Sequence, residues 1–562
     1  MVLTKEKWWI VFVIALMAII IFINLGSGEI QPWDEGLYAI RAKSILHFND
    51  FLDQTAYSPG GLYSSTYPPL TIWFISGAMS IFGENQFSVR LFSALCSVAA
   101  LIFIFLISRR VASFKFSLLA VILTGATLVW NKFSREGMTD IPLTFFFILT
   151  FWASIKLRES DDKKKIILFS AIFAVGFASA LMTKIVISFL PLLFVFLTFV
   201  ENNNKKWYLL VASIAAIALA SPWYIYMISQ HGAPFYKALL VPHIYSVVET
   251  NSPKLGVLYY LNQLLVSNSY ILFTFVFLLM FISDNFRKKI NELIESKYIL
   301  YTVIMWFSIA FIVLSLSRTK MLHYAVYMVP PAIFIAIVFI ENIREIIKNN
   351  KIISVLLICV VALIIWSFNP GLREDIKILF TDFSFTNASF IYFLFILVSI
   401  ASVLFLYINL FDKWISKYMI PIVYFITTIL LFNIIVLNGF YRLGHSYGAE
   451  KAAGFVLDSK ENSFVYLYHE ATAADSLNPQ LAWYTKGIMN QWVKGKTYKP
   501  YTLPLNQKIV DVLNDMKSLK ENIVIYYKPR EKEFAEIVNK NVSKEWKITE
   551  YCDRYIVFRR KF

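Results

Sequence analysis

Apolar runs long enough to cross a bilayer as helices recur along most of this 562-residue chain, and that recurrence constrains its fold more than any motif. Backbone amides in lipid are satisfied only inside helices or closed barrels. The runs are continuous and lack the in–out alternation of barrel strands, so they predict helices. Composition agrees, since 58% hydrophobic and 16% charged residues lie outside the soluble globular class. Basic clusters such as "ISRRVASFK", "KLRESDDKKK", "NNNKKW", "NFRKKINELIESK" and "ENIREIIKNNK" sit between runs, and placing them all in the cytoplasm gives one consistent topology. About thirteen spans are then predicted, near 8–25, 88–108, 115–131, 141–156, 166–182, 185–200, 207–228, 257–282, 299–316, 323–340, 352–368, 389–411 and 419–437. The expected protein is an all-α polytopic membrane protein.

The first run, "KEKWWIVFVIALMAIIIFINLGSGEI", exceeds the apolar core of a signal peptide and reads as an uncleaved span with a cytoplasmic N-terminus. The net charge of +16 follows from the topology-setting clusters and implies no nucleic-acid partner. Cys96, Cys359 and Cys552 are too scattered for a disulfide framework or a metal motif. Outside the membrane lie a first loop at 26–87, a segment near 229–256, and a tail. In the tail, "FVYLYH", "NIVIYY" and "DRYIVF" are β-rich and alternate with helical stretches such as "QKIVDVLNDMKSL". That alternation predicts a transmembrane domain over 1–440 followed by an extracytoplasmic α/β domain over 441–562.

Charges collect at the outer rim. "PWDEGLYAIRAKSIL" reads as a short amphipathic helix lying along the interface, with Asp34 at its N-cap and Asp34, Tyr38 and Arg41 on one face. A plain reading has Asp34 capping the helix and Arg41 reaching for headgroups. "SREGMTDIPL" then places Arg135, Glu136 and Asp140 in a short outside loop, with Asp140 at the positive end of the next helix. Lys184 marks another outside turn, and "SRTKMLHYAVYMVPP" adds Arg318, Lys320 and His323. Ionisable residues at such depth face a cavity or one another. Together they predict a polar, partly basic cleft in which cations hold a lipid-linked phosphate and a carboxylate takes a proton from a hydroxyl. The rival reading is a lipid or ion transporter with an outside sensing domain, which calls for midplane charges and repeated halves. Neither a pseudo-repeat nor a pair of Gly/Pro-broken spans is found in the sequence.

"WDEGLYAIRAKSIL", "YPPLTIWFISGAMSIFGENQFSVRLFSAL", "GMTDIPLTFFF", "SPWYIYMISQHGAPFYKALLVPH" and "RTKMLHYAVYMVPP" occur in that order. Together they resemble the GT-C superfamily of membrane glycosyltransferases, in the aminoarabinose transferase and dolichyl-phosphate-mannose protein mannosyltransferase group. The resemblance implies an inverting transfer from a polyprenyl-phosphate-linked sugar to a lipid, glycan or protein acceptor among membrane lipids, at the outer face of a prokaryotic cell membrane. It implies catalytic roles for Asp34, Glu35 and Asp140. His243, Lys320 and His323 match further family positions, and Tyr38 and Glu136 are expected to help position substrate. One departure stands out. Where aminoarabinose transferases show Glu-Lys-Pro-Pro-Leu, this chain has "STYPPL", with Thr66 and Tyr67 replacing the acid and the lysine. Tyr67 is expected to hydrogen-bond the donor phosphate, and Arg41, Arg135, Lys184 or Lys320 to neutralise it. Because the donor carries its own phosphate leaving group, no cofactor is required, and the missing Glu weakens the case for a divalent metal beside His243.

Overall fold

Most of residues 5–347 are described in this computed structural model, with breaks at 32, 58–61, 63–65, 185–186, 200–204, 240–255, 257, 269 and 318–319. Beyond them the structure describes 448–457, 465–469, 479–484, 523–527, 546–552 and 555–560. The spans expected at 352–368, 389–411 and 419–437 lie outside the described residues.

Helix α1 (Lys5–Phe22) is the first expected span. It buries Met17, Ile20 and Ile21 and turns Trp8, Trp9, Phe12 and Ile19 outward, a division that lipid tolerates and water does not. The segment after α1 supplies α2 (Asp34–Phe48) and an apolar helix too short to span, α3 (Leu70–Phe82). Next come α4 (Gln86–Ser108), α5 (Phe114–Ala126), α6 (Leu128–Ser134), α7 (Asp140–Glu159), α8 (Lys163–Leu181), α9 (Leu190–Phe199) and α10 (Lys206–His231). After these, α11 (Tyr259–Ser267), α12 (Ile271–Phe281), α13 (Asp284–Leu293) and α14 (Lys297–Leu316) lead to a 3₁₀ segment, Leu322–Met328, that runs into α15 (Val329–Ile347). By length and composition six described helices can cross a bilayer, or seven if α5 and α6 count as one span.

Two expected spans are broken. The run at 115–131 bends by 66° between α5 and α6, and the run at 257–282 divides into α11 and α12 at Asn268. One set of hydrogen bonds repairs both breaks. Thr127 Oγ1 donates to the Leu123 carbonyl, while Asn268 Nδ2 donates to that carbonyl and to Thr127 Oγ1, at 2.7, 3.0 and 3.0 Å. Polar side chains thus satisfy the carbonyl that the bend frees from its helix ladder.

Helix α2 also differs from expectation. It is buried on every side over residues 35–45 and is no interfacial helix. Its cover comes partly from the far end of the chain. There the structure describes α16 (Ala449–Leu457), β1 (Val465–His469), α17 (Pro479–Tyr484), β2 (Ile523–Tyr527), β3 (Trp546–Cys552) and β4 (Tyr555–Arg560). The strands form one sheet in the order β1-β2-β4-β3, parallel at β1/β2 and antiparallel elsewhere. Trp483 of α17 packs with Ile30, Tyr38 and Ile40, and Lys43 Nζ lies 5.1 Å above its ring. Tyr484 Oη accepts hydrogen bonds from the Ile30 amide at 2.9 Å and from Gln86 Nε2 at 3.3 Å. The Glu29 carboxylate accepts from the Ala449 and Glu450 amides, a favourable place for an anion at the start of α16.

Candidate active site

Trp33, at a φ of 71°, turns the chain sharply into α2, so Asp34 is the first helical residue rather than the cap. Successive helix residues diverge by about 100°, and Asp34 and Glu35 accordingly leave the helix in different directions.

Glu35 enters the core. Its Oε1 accepts from Arg90 Nε at 2.8 Å and from the Gly137 amide at 2.9 Å, while Oε2 accepts from the Gln31 amide at 2.6 Å and Arg90 Nη2 at 3.2 Å. Arg90 uses its remaining N–H groups on the carbonyls of Leu25, Ser27 and Glu29, so all five donors of a buried guanidinium are engaged. The 25–35 loop, the start of α4 and the turn before Asp140 are thereby tied at one point. Gly137 is required there, because a Cβ would come within 2.7 Å of the Val89 carbonyl oxygen. Glu35 therefore does not line the cleft that its position beside Asp34 had suggested.

Asp34 takes the opposite path. It is half-buried, and its carboxylate accepts no hydrogen bond among the described residues. It lies within electrostatic reach of His323, Lys184 and Asp140. Burial raises its carboxyl above the ordinary value; His323 and Lys184 pull it back down, and Asp140 adds to the rise. Asp140 opens α7 as expected, and its Oδ1 accepts from Tyr327 Oη and, at 3.4 Å, from Lys184 Nζ. Its Oδ2 is buried without a hydrogen-bond partner among the described residues. Lys184 Nζ also sits 4.9 Å above the Tyr324 ring. His323 packs edge-on against Phe133 and Tyr324. Tyr38 contributes a ring edge-on to Tyr67, and burial raises its phenol, with Asp34 close by. Four helix ends and a 3₁₀ segment thus converge on one cluster of both charge signs.

Other expected site residues are engaged elsewhere. Arg41 Nη2 donates to Gln54 Oε1 and the Tyr67 carbonyl, each at 3.0 Å, and burial lowers its guanidinium to about 10, still charged at neutral pH. It neither snorkels to the surface nor stands among the charges around Asp140; it braces the segment carrying Thr66 and Tyr67. Arg135 is fully buried, and its Nη1 donates to the carbonyls of Ile20 and Ile21 at 2.8 and 3.0 Å. These are carbonyls that the end of α1 leaves without helical partners. Glu136 is buried close enough to Arg90 to favour its charge. Lys320 Nζ donates to the Ser317 carbonyl. His243 and Arg318 lie outside the described residues.

Sequence reasoning missed Tyr324, Tyr327 and Arg90. The tyrosines follow His323 at one and four positions, a helical spacing visible in "HYAVY". Arg90 stands alone at the start of an apolar span, where a charge demands a buried partner.

A family model described as dolichyl-phosphate-mannose-protein mannosyltransferase matches residues 66–226, which hold Tyr67, Asp140 and Lys184. An uncharacterized protein of Aquifex aeolicus is 25% identical over 387 residues, 66% of this chain and 73% of its own. An undecaprenyl phosphate-alpha-4-amino-4-deoxy-L-arabinose arabinosyl transferase of Wigglesworthia glossinidia brevipalpis is 24% identical over 350 residues, 60% of this chain and 59% of its own. The crystal structure of ArnT from Cupriavidus metallidurans bound to undecaprenyl phosphate superposes with a TM-score of 0.66 at 15% identity, covering 99% of this chain and 98% of that one. The chain shares the fold of that structure. Within that frame the cluster around Asp34 is assembled by the segment after α1, the start of α7 and the segment leading into α15, stretches that the ordered sequence motifs had marked.

Proposed function

We propose that the protein transfers a single sugar from a polyprenyl-phosphate-linked donor to a lipid, glycan or protein acceptor, at the outer face of a cell membrane. The observation that carries this reading is Asp34: a carboxylate that accepts no hydrogen bond among the described residues, made more basic by burial, within electrostatic reach of Lys184 and His323. The sequence relative from Wigglesworthia is named for an undecaprenyl phosphate-linked sugar, which supports a donor of that class. In this reading the chain has about thirteen spans, its basic clusters face the cytoplasm, and residues 441–562 form an extracytoplasmic α/β domain that closes over α2 through Trp483 and Tyr484.

Asp34 accepts the proton of an acceptor hydroxyl as its oxygen attacks the anomeric carbon. The carbon–oxygen bond to phosphate breaks on the opposite side, the bonding pair leaves with the polyprenyl phosphate, and the anomeric configuration inverts. Lys184 balances the growing phosphate charge and fixes Asp140. Asp140, held by Tyr327 and Lys184, orients the acceptor or the base. Tyr38, Tyr67 and His323 shape the sugar pocket. Glu35, Glu136, Arg41 and Arg135 are positioning residues that hold the loops from behind. The test is incubation of purified protein with radiolabelled polyprenyl-phosphate sugars and a membrane extract. Label should pass from donor to an acceptor; movement of intact donor across sealed vesicles without transfer would instead show a transporter.

Lys184 makes a pH-dependent prediction. Asp34 works when ionised, so activity falls as pH drops through its raised value. Removing the ammonium removes a group that lowers that value. Lys184→Gln is expected to move the acid limb of the kcat/KM profile to higher pH, besides weakening donor binding. An acid limb that stays in place would show that Lys184 does not act on the base.

A further inference from the structure

At the ends of α4 and α7 remote from Asp34 lies a cavity of about 340 Å³ lined by Leu106, Arg109, Arg110, Trp152 and Lys156. Helix α4 runs about 30 Å from its start at Gln86 to Leu106, and α7 about 24 Å from Asp140 in the charge cluster to Lys156, most of one hydrocarbon thickness. We propose that this cavity binds the phosphate headgroup of an anionic membrane phospholipid.

Charge makes the first part of the case. Three cations line the cavity, and among the described residues the carboxylate paired with them is Glu159, 2.8 Å from Arg110 and 3.4 Å from Lys156. The contacts of Arg109 are neutral: Nη1 donates to the Ala112 carbonyl, and the guanidinium lies 5.9 Å from the Phe114 ring centre. A surplus of positive charge is left for an anion. Such cations would also suit the negative ends of α4 and α7, which explains their sign but not their arrangement around a cavity.

The apolar surroundings select a lipid as the anion's carrier. Leu95, Ile102 and Leu106 are exposed and fall at i, i+7 and i+11, one stripe along α4 that ends at Arg109. An acyl chain laid on this stripe brings its phosphate to the cations. Trp152, wedged edge-on between Phe103 and Phe169, supplies the indole common at the headgroup level. Basic pockets of this kind between membrane helices favour anionic headgroups. The inference does not depend on the sugar-transfer reading.

The test is native mass spectrometry of the full chain released from nanodiscs of equal phosphatidylglycerol and phosphatidylcholine. Phosphatidylglycerol should be retained preferentially, and the preference should shrink as ionic strength rises. In Arg109→Gln/Lys156→Gln, retention should weaken by about fivefold per charge removed. Arg109→Lys/Lys156→Arg, which keeps both charges, should retain the lipid. Equal retention of the two lipids overturns the proposal, as does a preference in the neutral variant matching that of the parent. Full displacement of the lipid by millimolar inorganic phosphate also overturns it, since the site would then read phosphate alone.

Discussion

Asp34→Asn is expected to lower sugar transfer by about a thousandfold while leaving the protein folded and able to bind donor. Asparagine keeps the shape of the side chain and removes its ability to take a proton. Because the carboxylate accepts no hydrogen bond among the described residues, no structural bond is lost with the charge. Stability should move the other way. A carboxyl raised above its unfolded value adds stability below the unfolded value and loses it as pH rises through the folded one. At neutral pH ionised Asp34 is therefore a burden on the fold, and Asp34→Asn is expected to melt at the same temperature or higher. Initial rates with labelled donor, a donor-binding isotherm and a melting curve in one detergent decide the matter. Turnover within a few-fold of the parent would remove both the base and the sugar-positioning roles of Asp34.

That residue also shows how far sequence reading reached. Helix-length apolar runs and their basic flanks define α4, α7, α8, α10, α14 and the stretch from Leu322 into α15, because lipid leaves the backbone few alternatives. The charge cluster was legible for a related reason: Asp34, Asp140, Lys184 and His323 each stand at a helix end on the same expected side, and charges so placed must find one another. Direction was not legible. Arg41 and Arg135 sit in the same segments as Asp34 and Asp140, yet they turn backward onto carbonyls of the first loop and of α1. A basic residue near a phosphate and one holding a loop differ only by a rotation about the helix axis, which a single sequence does not record. The breaks at Thr127 and Asn268 were hidden differently. Each lies in an unbroken apolar run, and the bond between them spans 141 positions. Likewise, α2 read as amphipathic because nothing near it in sequence reveals that Trp483 covers its other side.

Glu35→Ala is expected to destabilise the protein by about 3–5 kcal/mol, the usual result of leaving one member of a buried ion pair alone. Glu35 and Arg90 have side chains wholly shielded from solvent, and the guanidinium has no route to water once its carboxylate is gone. The Gly137 and Gln31 amides lose their acceptor at the same time. Glu35→Gln, which keeps an acceptor for some of these donors, should fall between the parent and Glu35→Ala on a chemical-denaturation or melting series. Function then separates structure from chemistry. Glu35 ties the entry to α2 to the turn before α7, so loosening it displaces Asp34 and Asp140 together and should lower kcat in Glu35→Gln at temperatures where the fold persists. Since Glu35 is held by Arg90 and the proposed mechanism does not have it take the proton, the acid limb of the pH profile should stay where it is in the parent, whereas Lys184→Gln is expected to move it. A Glu35→Gln enzyme whose acid limb shifts while its melting temperature holds would place this carboxylate in the reaction itself, and the division of labour between Asp34 and Glu35 would have to be reversed.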